Sequence, residues 1–215
     1  MHIQNNVLKH ALKNVFFLSG NACGGKTTLS RLLAQKYGFA LYDMDAEYDA
    51  HRAIADELHQ PETCYHMKDF HEQWTRPVEE QARWSLKSIE EQTDMVLIDL
   101  IRLSEHQKVV ADVLFSPVYT RELLDEHQVV FLTVHRSEIR ASYFNRPEKR
   151  SFYDFVRKQP LADLYFENIF QSLELTNDRE QSLMRQTGFL MLERRPDESP
   201  EARLLQIERH FGLIE

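Results

Sequence analysis

Residues 16–34, FFLSGNACGGKTTLSRLLA, gather three of the chain's six glycines into a six-residue window between an apolar run and an amphipathic stretch. Gly20, Gly25, Lys26 and Thr27 satisfy the spacing G-x-x-x-x-G-K-[ST], with Asn21, Ala22, Cys23 and Gly24 as the variable four. The spacing lets the backbone curl so that successive N–H groups point inward at a phosphate. Side chains at Gly20, Gly24 or Gly25 would obstruct that curl or force an unfavourable φ. Lys26 supplies a mobile positive charge for β and γ phosphates, and the hydroxyl of Thr27, opening the next helix, suits Mg²⁺. Thr28 completes the nucleotide-binding stretch of 20–28. Leu29, Leu32 and Leu33 fall on one face of the helix that follows, so the motif stands between a strand and a helix, which is the context it requires.

The rest of the chain repeats that alternation. Short β-branched or aromatic runs at 14–19, 39–43, 108–115, 129–135 and 188–193 predict strands. Most are continuously apolar, as in strands covered on both faces. Helical periodicity runs over 27–37, 47–58, 76–103, 117–126, 137–144, 161–185 and 200–211. The expected fold is α/β: a three-layer α/β/α P-loop NTPase with a five-stranded parallel sheet, as one domain over 1–215. The connection from Asp43 to Lys108 exceeds one crossover and predicts a helical insertion at about 46–105, while 136–160 reads as an Arg-rich lid after the fourth strand. Pro61, Pro147 and Pro196 mark turns.

A net charge of −8 argues against nucleic acid or an anionic membrane surface as partner. The amino terminus lacks the apolar core of a signal peptide and no run is long enough to span a bilayer, so a cytoplasmic location is expected. Two cysteines, Cys23 and Cys64, make no disulfide framework. His66 and His71, five apart, have poor helical geometry for a shared metal. Oxidation of Cys23 would obstruct phosphate binding; a tolerated small residue is the plainer reading.

The stretch LYDMDAEYD, 41–49, closes the second strand. Carboxyl ends of strands line the ligand crevice of an open parallel sheet, and alternate residues of an extended segment project the same way. Asp43 and Asp45 would therefore face the phosphate loop together, one near Mg²⁺ and one accepting a proton from a substrate hydroxyl. An acidic turn at a helix start explains the same residues without chemistry. Asp112, in KVVADVLF, reads as a carboxylate that positions Mg²⁺ through water, or as an ordinary strand-terminal Asp.

With these motifs in view, the chain resembles the shikimate kinase and gluconate kinase branch of the P-loop small-molecule kinases, related in fold to nucleoside monophosphate kinases. LYDMD is similar to the family's D-x-D after the second strand, which implies a metal role for Asp43 and an acceptor-hydroxyl role for Asp45. NRPEKR, 145–150, resembles the lid and implies that Arg146 approaches the nucleotide phosphates. RKQPLADLYFEN, 157–168, looks like a stretched substrate-binding segment and implicates Arg157. Arg76, in EQWTRPVEEQ, is placed like the family's substrate-binding Arg in the inserted helices. LERRPDESPEA, 192–202, resembles the loop that abuts adenine, and also reads as a helix start with Ser199 as N-cap and Pro200 behind it. Where shikimate kinases carry Gly-Gly-Gly at the third strand, this chain has VVADVLFSPVYT, which weighs against shikimate as acceptor.

Arg136, Arg140, Arg146, Lys149, Arg150, Arg157 and Lys158 cluster in an otherwise acidic chain. They suit a lid over a triphosphate, or a solvated face paired with Glu138, Glu148 and Asp154. Tyr65, Phe70, Trp74 and Trp84 read as core, or as a surface for a planar substrate. Together the residues predict an ATP- and Mg²⁺-dependent phosphotransferase acting on a small-molecule acceptor, a monomer or homodimer, with Lys26, Asp45 and Arg146 as catalytic residues. The alternative is a nucleotide-binding switch ATPase with a protein partner; the lack of N/T-K-x-D speaks against a GTPase.

Overall fold

The computed structural model describes residues 3–65, 70–195 and 197–215. His66 and Pro196 lie outside them. A short helix, α1 (Asn5–Ala11), which the sequence does not announce, precedes β1 (Val15–Gly20). The phosphate loop then feeds α2 (Lys26–Tyr37), which ends on Gly38 and turns into β2 (Ala40–Asp43). Among the described residues, the helices before the chain re-enters the sheet are α3 (Met44–Ile54), α4 (Pro61–Tyr65), α5 (Phe70–Thr75) and the long α6 (Val78–Ser104). Next come β3 (Val109–Asp112), α7 (Pro117–Leu123), β4 (Val129–Val134), α8 (Ser137–Ser142), α9 (Arg150–Arg157), α10 (Ala162–Thr187), β5 (Met191–Arg194) and α11 (Pro200–His210).

All strand pairs are parallel and the spatial order is β2-β3-β1-β4-β5. The third predicted strand is shorter than expected: pairing ends at Asp112, although the apolar run continues through Phe115. Alternation along β1 explains the three layers. Val15 and Phe17 pack with Val96, Leu97, Leu100 and Met184 of α6 and α10 on one face. Phe16 and Leu18 pack with Leu29, Leu33, Leu204 and Ile207 of α2 and α11 on the other. The inner strands β1, β3 and β4 are thus buried at every position because each face meets helices.

The insertion is fastened by polar bonds as well as burial. Glu91 of α6 accepts from the Glu62 and Thr63 amides and from Thr63 Oγ1, and Trp84 Nε1 donates to Glu62 O at 2.9 Å, so α4 is capped by α6. Phe70 and Trp74 pack with Phe152 and Tyr165 of the segments that follow β4. That is the core role for these two rings. Among the described residues no helix is long and apolar enough to cross a membrane.

Candidate active site

The loop after β1 rests directly on β4. An ideal Cβ at Gly20, whose φ is +121°, would stand 2.2 Å from Leu132 O, and one at Gly24 would stand 2.3 Å from the same oxygen. Both contacts are with backbone, which cannot yield, so only glycine permits this approach. The Asn21 amide donates to that same Leu132 carbonyl at 3.0 Å. Cys23 adopts φ +66°, unusual for a side-chain-bearing residue. Its side chain turns inward against Val134 and Ile139, and burial pushes the thiol up in spite of nearby Arg146, Arg194 and Lys26. A thiol held protonated and covered is a poor nucleophile, which favours the plainer of the two readings of Cys23.

Three residues that the motif does not predict hold the loop from behind. Asn21 Nδ2 donates to Glu180 Oε2 at 3.2 Å, and Asn177 Nδ2 donates to Ala22 O at 3.5 Å, both partners being on α10. Glu180 is buried, and desolvation pushes its carboxyl up to about 7 against the opposing pull of Lys26 and Asn21. Arg203 of α11, also buried, donates to Gly24 O at 2.8 Å and to Leu192 O at 3.1 Å. Sequence spacing carries no signal for the contacts to the loop, because each joins residues more than a hundred positions apart.

A cleft of about 180 Å³ opens at the carboxyl ends of the strands. Lys26, Thr27, Asp43, Asp45, Asp112, Arg146 and Lys149 all line it. Lys26 Nζ donates to Gly20 O (3.0 Å) and Asn21 O (3.1 Å), so its ammonium lies over the loop. Thr27 Oγ1 donates to Asp112 Oδ2 at 2.7 Å. Burial pushes the Asp112 carboxyl up, and Lys26 and the Thr27 bond oppose that rise. The Thr27 hydroxyl and Asp112 carboxyl are hard oxygen donors that could hold Mg²⁺ together with phosphate and water. Among the described residues no three His, Cys, Asp or Glu converge to hold a metal by themselves, so such an ion would depend on phosphate oxygens.

Asp43 and Asp45 do share the cleft, but by a different route from strand alternation. Asp43 ends β2 and is the N-cap of α3, its Oδ1 accepting from the Asp45 amide at 3.1 Å. Asp45 lies in the first helical turn. The helix-start reading therefore holds, and the cap fixes both carboxylates at the cleft rim.

The basic cluster divides three ways. Arg136 and Arg140 pair with Glu174, Asp178 and Glu167 of α10 at 2.6–2.9 Å. Arg146, bonded to Tyr143 O and set over the Tyr143 ring, faces the cleft with Lys149. Arg157 stands with Arg150 and Lys158 on the outer side of α9. Arg76 stacks over the Tyr65 ring at 4.7 Å, near Glu72, and does not line the cleft. On the other side of the loop a smaller cleft of about 150 Å³ is bordered by Gly25, Thr28, Arg194, Glu198 and Arg203, which brings Thr28 beside the loop that follows β5. Ser199 caps α11 by accepting from the Ala202 amide, as its sequence predicts.

No family model matches the sequence, and no curated protein is detectably similar to it. Among solved structures, shikimate kinase from Acinetobacter baumannii in complex with shikimate is similar over 93% of this chain and 92% of that one, with a TM-score of 0.51 and 16% identity. The likeness is one of fold: the chain has a shikimate kinase-like P-loop architecture, with its loop and acidic rim at the carboxyl edge of the sheet.

Proposed function

We propose that this protein is an ATP-dependent phosphotransferase that moves the γ-phosphoryl group of Mg·ATP to a hydroxyl of a small-molecule acceptor. The observation that carries the reading is the convergence of Lys26, Thr27, Asp112, Asp43, Asp45 and Arg146 on one cleft. A regulatory nucleotide site uses the loop, a metal position and often a guanidinium; a further carboxylate at Asp45, beside an open cavity, is what an acceptor hydroxyl needs.

Under this reading the loop amides and Lys26 hold the β and γ phosphates. Lys26 exchanges two neutral carbonyl acceptors for phosphate oxygens, a stronger charge-assisted bond. Thr27 and Asp112 would hold Mg²⁺, with Asp43 nearby; when bound, the ion neutralises phosphate charge and fixes the oxygens in line. Arg146 faces the transferring group and stabilises its spread charge. Asp45 accepts the proton of the acceptor hydroxyl as that oxygen bonds to phosphorus. The bond from phosphorus to the β-phosphate bridging oxygen breaks and its electron pair leaves with ADP. The base of the nucleotide is assigned to the cleft beside Thr28 and Arg194.

The test is ADP release coupled to a dye-linked assay across a panel of hydroxylated metabolites. The reading expects one acceptor class to raise turnover well above basal hydrolysis and Asp45→Asn to remove that increment. Uniform basal hydrolysis, unchanged by Asp45→Asn, would refute it.

A further inference from the structure

A second cavity, of about 340 Å³, adjoins the transfer cleft and shares Met44, Asp45, Leu114 and Lys149 with it. It runs between α3 and α6. Among the described residues that line it, the charged ones are Asp45 and Lys149, both on the shared mouth. Inward from there the wall is made of Tyr48, Trp84 and Ile89 with the neutral polar groups of Ser85, Ser88 and Gln92.

That inner wall is held in place. The Trp84 indole N–H is fixed on Glu62 O at 2.9 Å, so the ring is a standing surface. Ser88 Oγ lies 3.3 Å from Thr63 Oγ1, and Gln92 Nε2 donates to Ser88 O at 3.1 Å. Behind Gln92, His51 is buried with Nε2 2.8 Å from Asp99 Oδ2, so any charge on that ring already has its counterion. Arg76 and Arg157, the two cations implied for substrate binding, line neither this cavity nor the cleft. Lys149 also lines the cleft proposed for the phosphates of the donor.

We propose that this cavity is the acceptor site and that it takes an uncharged, ring-bearing alcohol; the proposal rests on the phosphotransferase reading above. The ring lies against Trp84 and Ile89, its outlying hydroxyl or amide groups reach Ser85, Ser88 and Gln92, and the reacting hydroxyl points out to Asp45. An anionic group carried against the inner wall would lose its water with no cation among the described lining residues to replace it, so acids are disfavoured. Apolar and aromatic lining with a few fixed polar groups is the usual make-up of a small-molecule site.

The experiment compares neutral and acidic twins: uridine with uridine 5′-monophosphate, methyl glucoside with glucuronic acid methyl glycoside, and methyl shikimate with shikimate. Binding is read by fluorescence in the presence of Mg·ADP, in Trp74→Phe protein, where Trp84 is the remaining one of the chain's two tryptophans. The proposal expects at least one neutral member to quench Trp84 saturably, and its acidic twin to bind weaker by at least about tenfold. Ser85→Arg should reverse that order; should this variant misfold by circular dichroism, Ile89→Lys makes the same comparison. Preference for the acids, no saturable quenching by any neutral member, or affinities indifferent to the new cation would overturn the proposal. Neutral preference in binding without acceptor-dependent ADP release would instead uphold the cavity and refute the transferase.

Discussion

Thr27 Oγ1 donates to Asp112 Oδ2 across 2.7 Å, tying the first turn of α2 to the end of β3. The bond joins the two oxygen groups proposed as metal ligands, and it does so around a carboxyl whose burial raises its proton affinity. A group in that setting is destabilising while ionised and unpaired, and gains when a cation arrives.

Asp112→Asn should therefore separate stability from activity. The amide keeps an acceptor for Thr27 and removes the buried charge, so the thermal midpoint holds or rises, while ADP release falls by at least about tenfold. Equal losses in both, measured by calorimetry and coupled assay, would contradict the role given to this carboxylate.

Gly24→Ala sets a Cβ 2.3 Å from Leu132 O and 2.7 Å from its carbonyl carbon. Neither strand nor loop can retreat without breaking the Asn21–Leu132 bond. The expected loss is about 1–3 kcal/mol of stability, together with nucleotide affinity. Chemical denaturation with and without Mg·ATP measures both; a wild-type midpoint and undiminished ligand stabilisation would show that the loop does not rest on β4 in this way.

Glu180 makes stability depend on pH in a defined direction. Its folded-state value of about 7 lies above the ordinary carboxyl value near 4.5, so the folded state holds the proton more tightly. Stability from this group is present at low pH and is lost as pH rises through the window between those values, by a few kcal/mol. Glu180→Gln keeps an acceptor for Asn21 and has no such loss. The melting temperature of the variant minus that of the wild type should climb by several degrees between about pH 5 and pH 8. A flat difference would exclude a proton on Glu180 as the cause.

Arg203 bonds two carbonyls, on Gly24 and Leu192. Arg203→Met should cost about 2–4 kcal/mol and weaken Mg·ATP, whereas Arg203→Lys, with donors but no fork, recovers part of each. Identical values for the two variants would mean that the side chain matters only through packing.

What the sequence discloses and what it hides follows from how far each signal reaches along the chain. The loop is legible because its glycines, Lys26 and Thr27 act on neighbours within a few residues. The strands are legible because helices on both faces leave continuous apolar runs such as Val129–Val134. Helices α4 and α5 escape notice because each is little more than one turn long, and α4 is capped by Glu91 from another helix rather than by its own sequence. The basic run at 136–158 reads as one lid, yet Arg136 and Arg140 belong to carboxylates of α10 that no local pattern names. Glu180, Asn177 and Arg203 stay hidden for the same reason: their partners are brought to them only by the completed sheet.

Isothermal titration of Mg·ATP into wild-type and Lys26→Ala protein tests the whole account at its root, since the proposed function gives Lys26, set over the loop, the charge that meets the phosphates. The account predicts saturable one-site binding by the wild type and an affinity lower by at least about tenfold in the variant, from loss of a charge-assisted phosphate bond. Equal affinities, or no heat of binding to the wild type, would contradict it.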